Sequence, residues 1–327
     1  MTAIERILVA VADPGSRAQP ALEKAVQLGR RTGAAVEVFH CLFDPYVQGE
    51  RIYGSRRGTT PGIAALVELA RDQLEQRAAA VAGAGVRIRC SVHWDYPAYE
   101  GVVRQALRHK ADLVIAESRR HRRAARLFLS NTDWQLIRLC PVPLILVKSP
   151  RAWTRAKVLA ALDPMHAHAK PSALDPRILK VGAQLARALG GQLHAVHAHV
   201  PLIGYTPGLM TEPLPVRVTG REARDYARRV RKSVTGETRR FAVSARRVHV
   251  VEGDPGRVLP QLARRLGVQI MVMGAVSRSA LKRMFIGNTA ERVIDELTCD
   301  VCVVKPPGFR TPIPARPGHL PVMVPPL

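Results

Sequence analysis

The sequence is poor in aromatic residues, long apolar runs and processing signals. Aromatic residues make up 5% of the 327 residues, whereas 47% are hydrophobic, so an aliphatic core is expected. No apolar run reaches the roughly 20 residues that cross a membrane, which predicts no transmembrane segment. The start, Met1–Arg6, lacks the basic and apolar regions of a secretory signal. We therefore expect a cytoplasmic protein, and the length suggests two domains.

Acidic residues are also scarce. The chain has 26 Asp and Glu against 50 Lys and Arg, a formal net charge of +24, and the excess is larger after residue 150. Such a field attracts anions, including nucleotides, nucleic acid, acidic lipid headgroups and acidic proteins. A solvated, arginine-rich surface with no dedicated partner would have the same composition. The charge leaves both interpretations open.

Cysteine is too sparse and scattered for a disulfide framework, with five residues in the whole chain. Cys299 and Cys302 have the spacing of a redox or metal motif. They lie at the start of a predicted strand, however, where residues three apart point to opposite faces. No second Cys or His pair completes a zinc site, so no metal is predicted there.

Histidines are concentrated early in the second half. His197 and His199 share one face of a predicted strand that also carries His194, and a nearby loop holds His166 and His168. No carboxylate or cysteine shows matching spacing, so we expect ordinary hydrogen bonds rather than a metal site. A nucleophile elbow, a paired-carboxylate arrangement and an HExxH pattern are likewise absent from the sequence. No catalytic residue is assigned.

Strands and helices alternate in the same way in both halves. The predicted strands are 7–12, 36–41, 86–92, 113–116 and 144–147, followed by 158–162, 193–199, 248–251, 270–273 and 301–304. The predicted helices are 19–31, 64–82, 99–108 and 133–139, followed by 178–189, 221–239, 258–266 and 290–297. Alternation of this kind predicts parallel sheets covered on both faces. The expected fold is α/β, with two tandem five-stranded domains forming a pseudo-dimer.

Short motifs recur between the halves. Asp13-Pro14 is matched by Asp163-Pro164, and Asn131-Thr132 is matched 157 residues later by Asn288-Thr289. These repeats indicate duplication, with domains at 1–150 and 151–307. Residues 308–327 form a proline-rich tail without an apolar period, which we expect to be extended or disordered.

A candidate phosphate site lies in the second half. In an open parallel sheet, ligands bind at the carboxyl ends of strands, where Asp163 and Gly274 are predicted to lie. Gly287, Asn288 and Thr289 open a predicted helix, and a helix N-terminus favours anions. The alternative is structural: Asn288 as an ordinary N-cap with Glu291 three residues later, and Gly274 as a tight turn.

The glycine motif carries a family resemblance. Gly274-x2-Ser277-x9-Gly287-Asn288-Thr289 resembles the G-x2-G-x9-G-[S/T/N] loop of the universal stress protein family. The tandem layout, together with segments 285–291 and 132–134, is similar to the E-type, tandem-domain branch of that family. The resemblance covers nearly all of residues 4–307.

The resemblance implies a five-stranded α/β unit related to the adenine nucleotide α hydrolases, in a family of which some members bind ATP. It assigns Asp163 and Ala198 to the base, Met273 and Gly274 to the ribose, and Ser277, Gly287, Asn288 and Thr289 to the phosphates. Ser277 stands where a second glycine is usual. ATP or another adenine nucleotide is therefore the expected ligand.

The first half departs from this motif. Glu117, Arg120 and Ser130 replace the three glycines, so no ordinary ATP site is expected there. The arginine-rich loop 118–126 is either a solvated segment or a clamp for an anionic group.

A second basic surface is predicted on the helix near residues 221–239. Arg221, Arg224, Arg228 and Arg231 share one of its faces, which is either solvated or meets an acidic partner or a membrane surface. The expected function is stress response through ligand binding in the second domain and partner interaction. The alternatives are weak ATP hydrolysis, or binding of acidic lipid or nucleic acid. Two tandem chains could also form a homodimer.

Overall fold

The computed structural model has two compact units. One comprises Met1–Trp153 together with the residues from Phe309 onward, and the other comprises Thr154–Gly308. The structure describes residues 4–43, 61–83, 85–118, 131–164, 173–200, 203–206, 214–217, 220–274 and 287–317. Within those residues, no helix combines the length and the apolar character that a bilayer requires.

The first unit is a five-stranded parallel sheet with four helices. Its elements are β1 Arg6–Ala10, α1 Pro20–Thr32, β2 Ala35–Leu42, α2 Pro61–Val81, β3 Ile88–Trp94, α3 Ala98–Arg108, β4 Leu113–Glu117, α4 Asn131–Leu139 and β5 Leu144–Val147. The strand order is β5-β4-β1-β2-β3, and every pairing is parallel. The chain therefore reverses direction across the sheet between β1 and β4, which makes this the topological switch point.

The second unit repeats this order and adds a hairpin. Its elements are β6 Lys157–Ala161, α5 Leu174–Ala188, β7 Gln192–His199, β8 Ile203–Thr206, β9 Leu214–Arg217, α6 Gly220–Arg239, β10 Val248–Glu252, α7 Pro255–Leu266, β11 Ile270–Gly274, α8 Asn288–Glu296 and β12 Asp300–Val304. The parallel order is β12-β11-β6-β7-β10, while β8 and β9 pair antiparallel. The switch point here lies between β6 and β11.

The central strands have the sequence character that this arrangement demands. Residues Ile7–Val9 of β1 and Ile270–Val272 of β11 are all fully buried. Strands covered on both faces read as continuous apolar runs rather than alternating ones. The predicted α/β fold with two tandem parallel sheets is therefore confirmed.

Some element boundaries were predicted wrongly. Helices α5 and α7 begin at Leu174 and Pro255, not at residues 178 and 258. Proline fits the first turn of a helix because its missing N–H would have no partner there, so the polar, proline-containing starts hid the first turns. The hairpin β8–β9 was not predicted, because Gly and Pro obscure strand periodicity in that segment.

The residues that follow β12 pack partly on the first unit. Ile313 is buried, and the chain from Phe309 groups with that unit. The described portion to Pro317 contains turns and extended backbone without helix or strand.

Candidate functional site

The predicted site residues that the structure describes lie at one edge of the second sheet. Asp163 follows β6, Ala198 is near the end of β7, and Gly274 ends β11. Val272 pairs with Ala160, and continuing this register puts Gly274 beside the residue that precedes Asp163. Three neighbouring strands thus deliver these positions to the carboxyl edge at the switch point. Ser277 lies outside the described residues.

Asp163 is held by its backbone and keeps its carboxylate accessible. Its N–H donates to Oδ2 of the buried Asp175 at 3.1 Å, and its side chain is 40% exposed. The Nδ1–H of His197 donates to the carbonyl of Leu162 at 2.9 Å and lies 3.8 Å from Oδ1 of Asp163. The imidazole therefore fixes the strand end, and the carboxylate can still accept a hydrogen bond from a ligand.

The first unit shows that one repeat landmark was matched wrongly. His40 contacts the carbonyl of Val11 as His197 contacts that of Leu162, both at 2.9 Å. Val11 and Leu162 are therefore equivalent, which makes Ala12 the counterpart of Asp163. Asp13 comes one residue later, and its carboxylate instead accepts the N–H of Gly15 at 3.0 Å. The first unit has no acid at this position.

Gly274 is explained by packing. A Cβ built on it would lie 2.7 Å from Cδ2 of Leu174, which is itself buried. The backbone of Gly274 is not in the left-handed region, so no positive φ demands glycine there. The structural alternative to ligand approach therefore has a definite cause, although it is a contact with α5 rather than a tight turn.

Helix α8 begins one residue earlier than the N-cap alternative requires. Gly287 is the N-cap, in extended conformation, and makes no side-chain cap hydrogen bond, while Asn288 is already helical. The alternative with Asn288 as N-cap and Glu291 as its box partner is therefore wrong. Thr289 is exposed in the first turn, where N–H groups point out of the helix.

The equivalent helix of the first unit carries a buried acid. Asp133 lies in the first turn of α4, is 3% exposed, and accepts a hydrogen bond from Oγ of Ser118 at 3.2 Å. Its counterpart in α8 is Ala290. The acid of α8, Glu291, comes one residue later and so points about 100° away around the helix. A carboxylate at α4 opposes phosphate binding where α8 has a methyl group.

The described members of the other candidate metal and redox groups are buried or half-buried, and His166 and His168 lie outside the described residues. Cys299 and Cys302 form no disulfide, and burial raises the pKa of Cys302 further above its ordinary value. His199 contacts the carbonyl of Val200 at 3.1 Å and packs edge-on against Tyr226. Within the described ranges, no group of three or more His, Cys, Asp or Glu side chains could hold a metal ion.

The geometry defines a class: a tandem α/β protein whose second sheet presents an acid, a strand-end glycine and a helix N-terminus at its switch point. The universal stress protein family model matches residues 3–148 and 155–305. The chain therefore belongs to the universal stress protein family, with two such domains in tandem. The predicted family and its tandem form are confirmed.

Several relatives match this chain over nearly their whole length. Universal stress protein E of Salmonella typhi is 29% identical over 94% of this chain and 96% of its own length. A structure of a candidate universal stress protein from Pseudomonas aeruginosa UCBPP-PA14 is 24% identical, with a TM-score of 0.67 over 93% of this chain and 94% of its own. One from Archaeoglobus fulgidus DSM 4304 is 16% identical, with a TM-score of 0.57 over 92% and 98%. These two structural likenesses support the fold.

Proposed function

We propose that the chain is a cytoplasmic stress-response protein that binds an adenine nucleotide in its second unit only. In this proposal the base contacts Asp163 and Ala198, the ribose contacts Met273 and Gly274, and the phosphates contact Ser277, Gly287, Asn288 and Thr289. Nucleotide occupancy then changes how the chain interacts with a partner protein.

The observation that carries the proposal is the asymmetry between equivalent positions. The second unit has Asp163 after its first strand, where the first unit has Ala12. The second unit has Ala290 in the helix that would face phosphate, where the first unit has the buried Asp133. A carboxylate suits a ribose hydroxyl or an adenine amino group and opposes a phosphate. Both differences therefore favour a nucleotide in the second unit and disfavour one in the first.

A pair of matched substitutions tests the proposal. Thr289→Asp puts a carboxylate in the first turn of α8, and Thr132→Asp puts one at the equivalent position of α4. Aspartate near a helix N-terminus is favourable for the helix, so both variants are expected to fold. Calorimetric titration with ATP, ADP and AMP should show binding to the wild type. Thr289→Asp should weaken ATP binding at least about tenfold, which corresponds to about 1.4 kcal/mol.

Thr132→Asp should leave the affinity unchanged. Equal weakening by both variants would show that overall charge, not the second-unit site, controls binding. Absence of wild-type ATP binding below millimolar concentration would end the proposal.

A further inference from the structure

Two histidines on adjoining strands form an edge-to-edge, hydrogen-bonded pair near the amino ends of β7 and β10. Nδ1 of His194 in β7 lies 3.1 Å from Nε2 of His249 in β10, and the rings are within 7° of parallel. One nitrogen must donate and the other must accept, so the contact holds a single proton. Burial lowers the pKa of both rings, that of His194 to about 4. The pair is therefore neutral at pH 7.

Four cations lie on segments that adjoin β7 and β10. Nζ of Lys157, the first residue of β6, donates to the carbonyl of Leu266 at 2.9 Å, beside Arg265 at the end of α7. Nη2 of Arg231 in α6 reaches the carbonyl of Ala245 at 3.4 Å, in the short 3-10 turn that leads into β10.

Each of these cations lowers the pKa of one of the two rings, and so does Arg247 at the end of the 3-10 turn. Arg247 and Lys157 lower the pKa of His194, while Arg265 and Arg231 lower that of His249. Among the described residues, the charged side chains that shift these two pKa values are all basic. The pair therefore lies in a positive field with no carboxylate contributing to it.

The first unit has its own anion at the equivalent place. Val38 pairs with Cys90 as Ala195 pairs with Val248, so Glu37 and Ser91 correspond to His194 and His249.

Glu37 is buried and lies at the centre of a hydrogen-bond network. Its carboxylate accepts hydrogen bonds from Ser91 at 2.6 Å and Gln105 at 2.6 Å, and it contacts Nδ1 of His109 at 2.7 Å. The fold thus accommodates a carboxylate at this position, with donors converging on it from a neighbouring strand and helix. The second unit has an imidazole at the position of that carboxylate, and its Arg247 is the counterpart of Arg89, whose Nη2 lies 3.9 Å from Oε1 of Glu37.

We propose that the His194–His249 pair, with Lys157, Arg231, Arg247 and Arg265, binds a tetrahedral oxyanion of the phosphate class. Arginine and lysine side chains suit such oxygens, and the ring that donates in the His194–His249 contact can add a further donor when its other nitrogen gains a proton. Because a bound anion favours that protonated ring, binding should strengthen as pH falls. The proposal is independent of the proposed nucleotide site, to which β7 contributes its opposite end.

NMR titration of the two imidazole groups with sodium sulfate tests the site, since the charge of sulfate is constant across the pH range used. Measurement in the Thr289→Asp chain excludes a contribution from the proposed nucleotide site. Spectra of His194→Gln and His249→Gln variants assign the resonances. We expect sulfate to shift both rings, with a Kd at least about tenfold lower at pH 5.5 than at pH 7.5.

Two variants that each remove one positive charge distinguish binding at this site from attraction by the overall positive charge. Arg265→Gln should weaken sulfate binding several-fold, while Arg264→Gln, on the same exposed turn of α7, should not. Equal weakening by both variants, or imidazole resonances that sulfate leaves unmoved at pH 5.5, would overturn the proposal. Inorganic phosphate and phosphatidic acid vesicles, added separately, then show whether a free ion or a lipid headgroup binds better.

Discussion

The buried ion pair of Arg104 and Asp95 allows a stability prediction that the structure makes quantitative. Arg104 in α3 is 1% exposed and Asp95 is 3% exposed. Nε and Nη2 of Arg104 donate to the two Asp95 oxygens at 2.8 and 2.7 Å, and Nη1 donates to Glu100 at 2.9 Å. The perturbation is Asp95→Asn, which removes the charge of one partner and keeps its size.

The expected loss follows from what the substitution leaves behind. Breaking a buried pair costs about 3–5 kcal/mol, because the remaining charge is buried without compensation. Glu100, which is 26% exposed, still contacts the guanidinium and offsets part of its charge. We therefore expect a loss of unfolding free energy at the lower end of this range, about 3 kcal/mol. An asparagine Oδ1 can still accept the Tyr96 N–H, now bonded to Asp95 Oδ1 at 2.8 Å. The asparagine NH2 then takes the place of Oδ2 beside the Nε–H of Arg104, so the change removes one charge and one hydrogen-bond acceptor.

The assay is urea unfolding followed by tryptophan fluorescence. The chain has three tryptophans, Trp94, Trp134 and Trp153, and all belong to the first unit, so the signal reports that unit. With an m value of about 2 kcal/mol/M, the midpoint should fall by about 1.5 M. The matched control is Asp72→Asn on the exposed side of α2, which should change stability by less than about 0.5 kcal/mol.

A double variant tests whether the uncompensated charge of Arg104 causes the loss of stability. Asp95→Leu combined with Arg104→Met removes both charges, and replacing a buried pair by apolar residues is often close to neutral. It should therefore be more stable than Asp95→Asn alone. A loss below about 1 kcal/mol for Asp95→Asn, or a double variant less stable than the single one, would refute the account.

Two further predictions concern the second unit. Between pH 6.5 and 4 its stability should fall with falling pH, because unfolded His194 gains a proton near its ordinary pKa while folded His194, with a pKa of about 4, does not. Allowing for its partial exposure, we expect about 1–2 kcal/mol by urea unfolding and circular dichroism. A slope unchanged in His194→Gln would contradict this. Gly274→Ala should cost about 1–3 kcal/mol by overpacking against Leu174, with partial recovery on adding Leu174→Ala. Failure of that recovery in thermal unfolding would show that the clash is not the cause.

The architecture could be predicted from the sequence because the fold depends on patterns of apolar and polar residues that extend over whole strands and helices. Continuous apolar runs such as Ile270–Met273 need no particular partner to be recognised as buried strands. The repeated Asn131 and Asn288 marked equivalent helix starts in the two sheets. Helix boundaries were less accurate where polar residues and proline open the first turn, as at Leu174 and Pro255.

For the candidate site, the sequence placed the described residues on the right backbone elements but did not give their contacts. The strand ends and the α8 N-terminus lie where parallel-sheet topology requires. The equivalence of Asp13 and Asp163 was wrong because one extra residue separates the strand end from the acid, and only the His40 and His197 contacts reveal it. The link between His194 and the distant His249 likewise depends on strand register, which composition does not encode.

At two pairs of equivalent positions, the first unit has a carboxylate and the second unit has none. The first unit supplies an internal carboxylate at each: Asp133 in the first turn of α4 and Glu37 in β2. The second has Ala290 and His194 there, so it presents donors and cations without the matching acid. A domain whose own carboxylate pairs with its donors and cations gains little stability from an added anion. A domain that lacks such a carboxylate gains stability when an anion from solution binds to its folded state. Added nucleotide or phosphate should therefore raise the unfolding midpoint of the second unit and leave the tryptophan-reported transition of the first unit where it was.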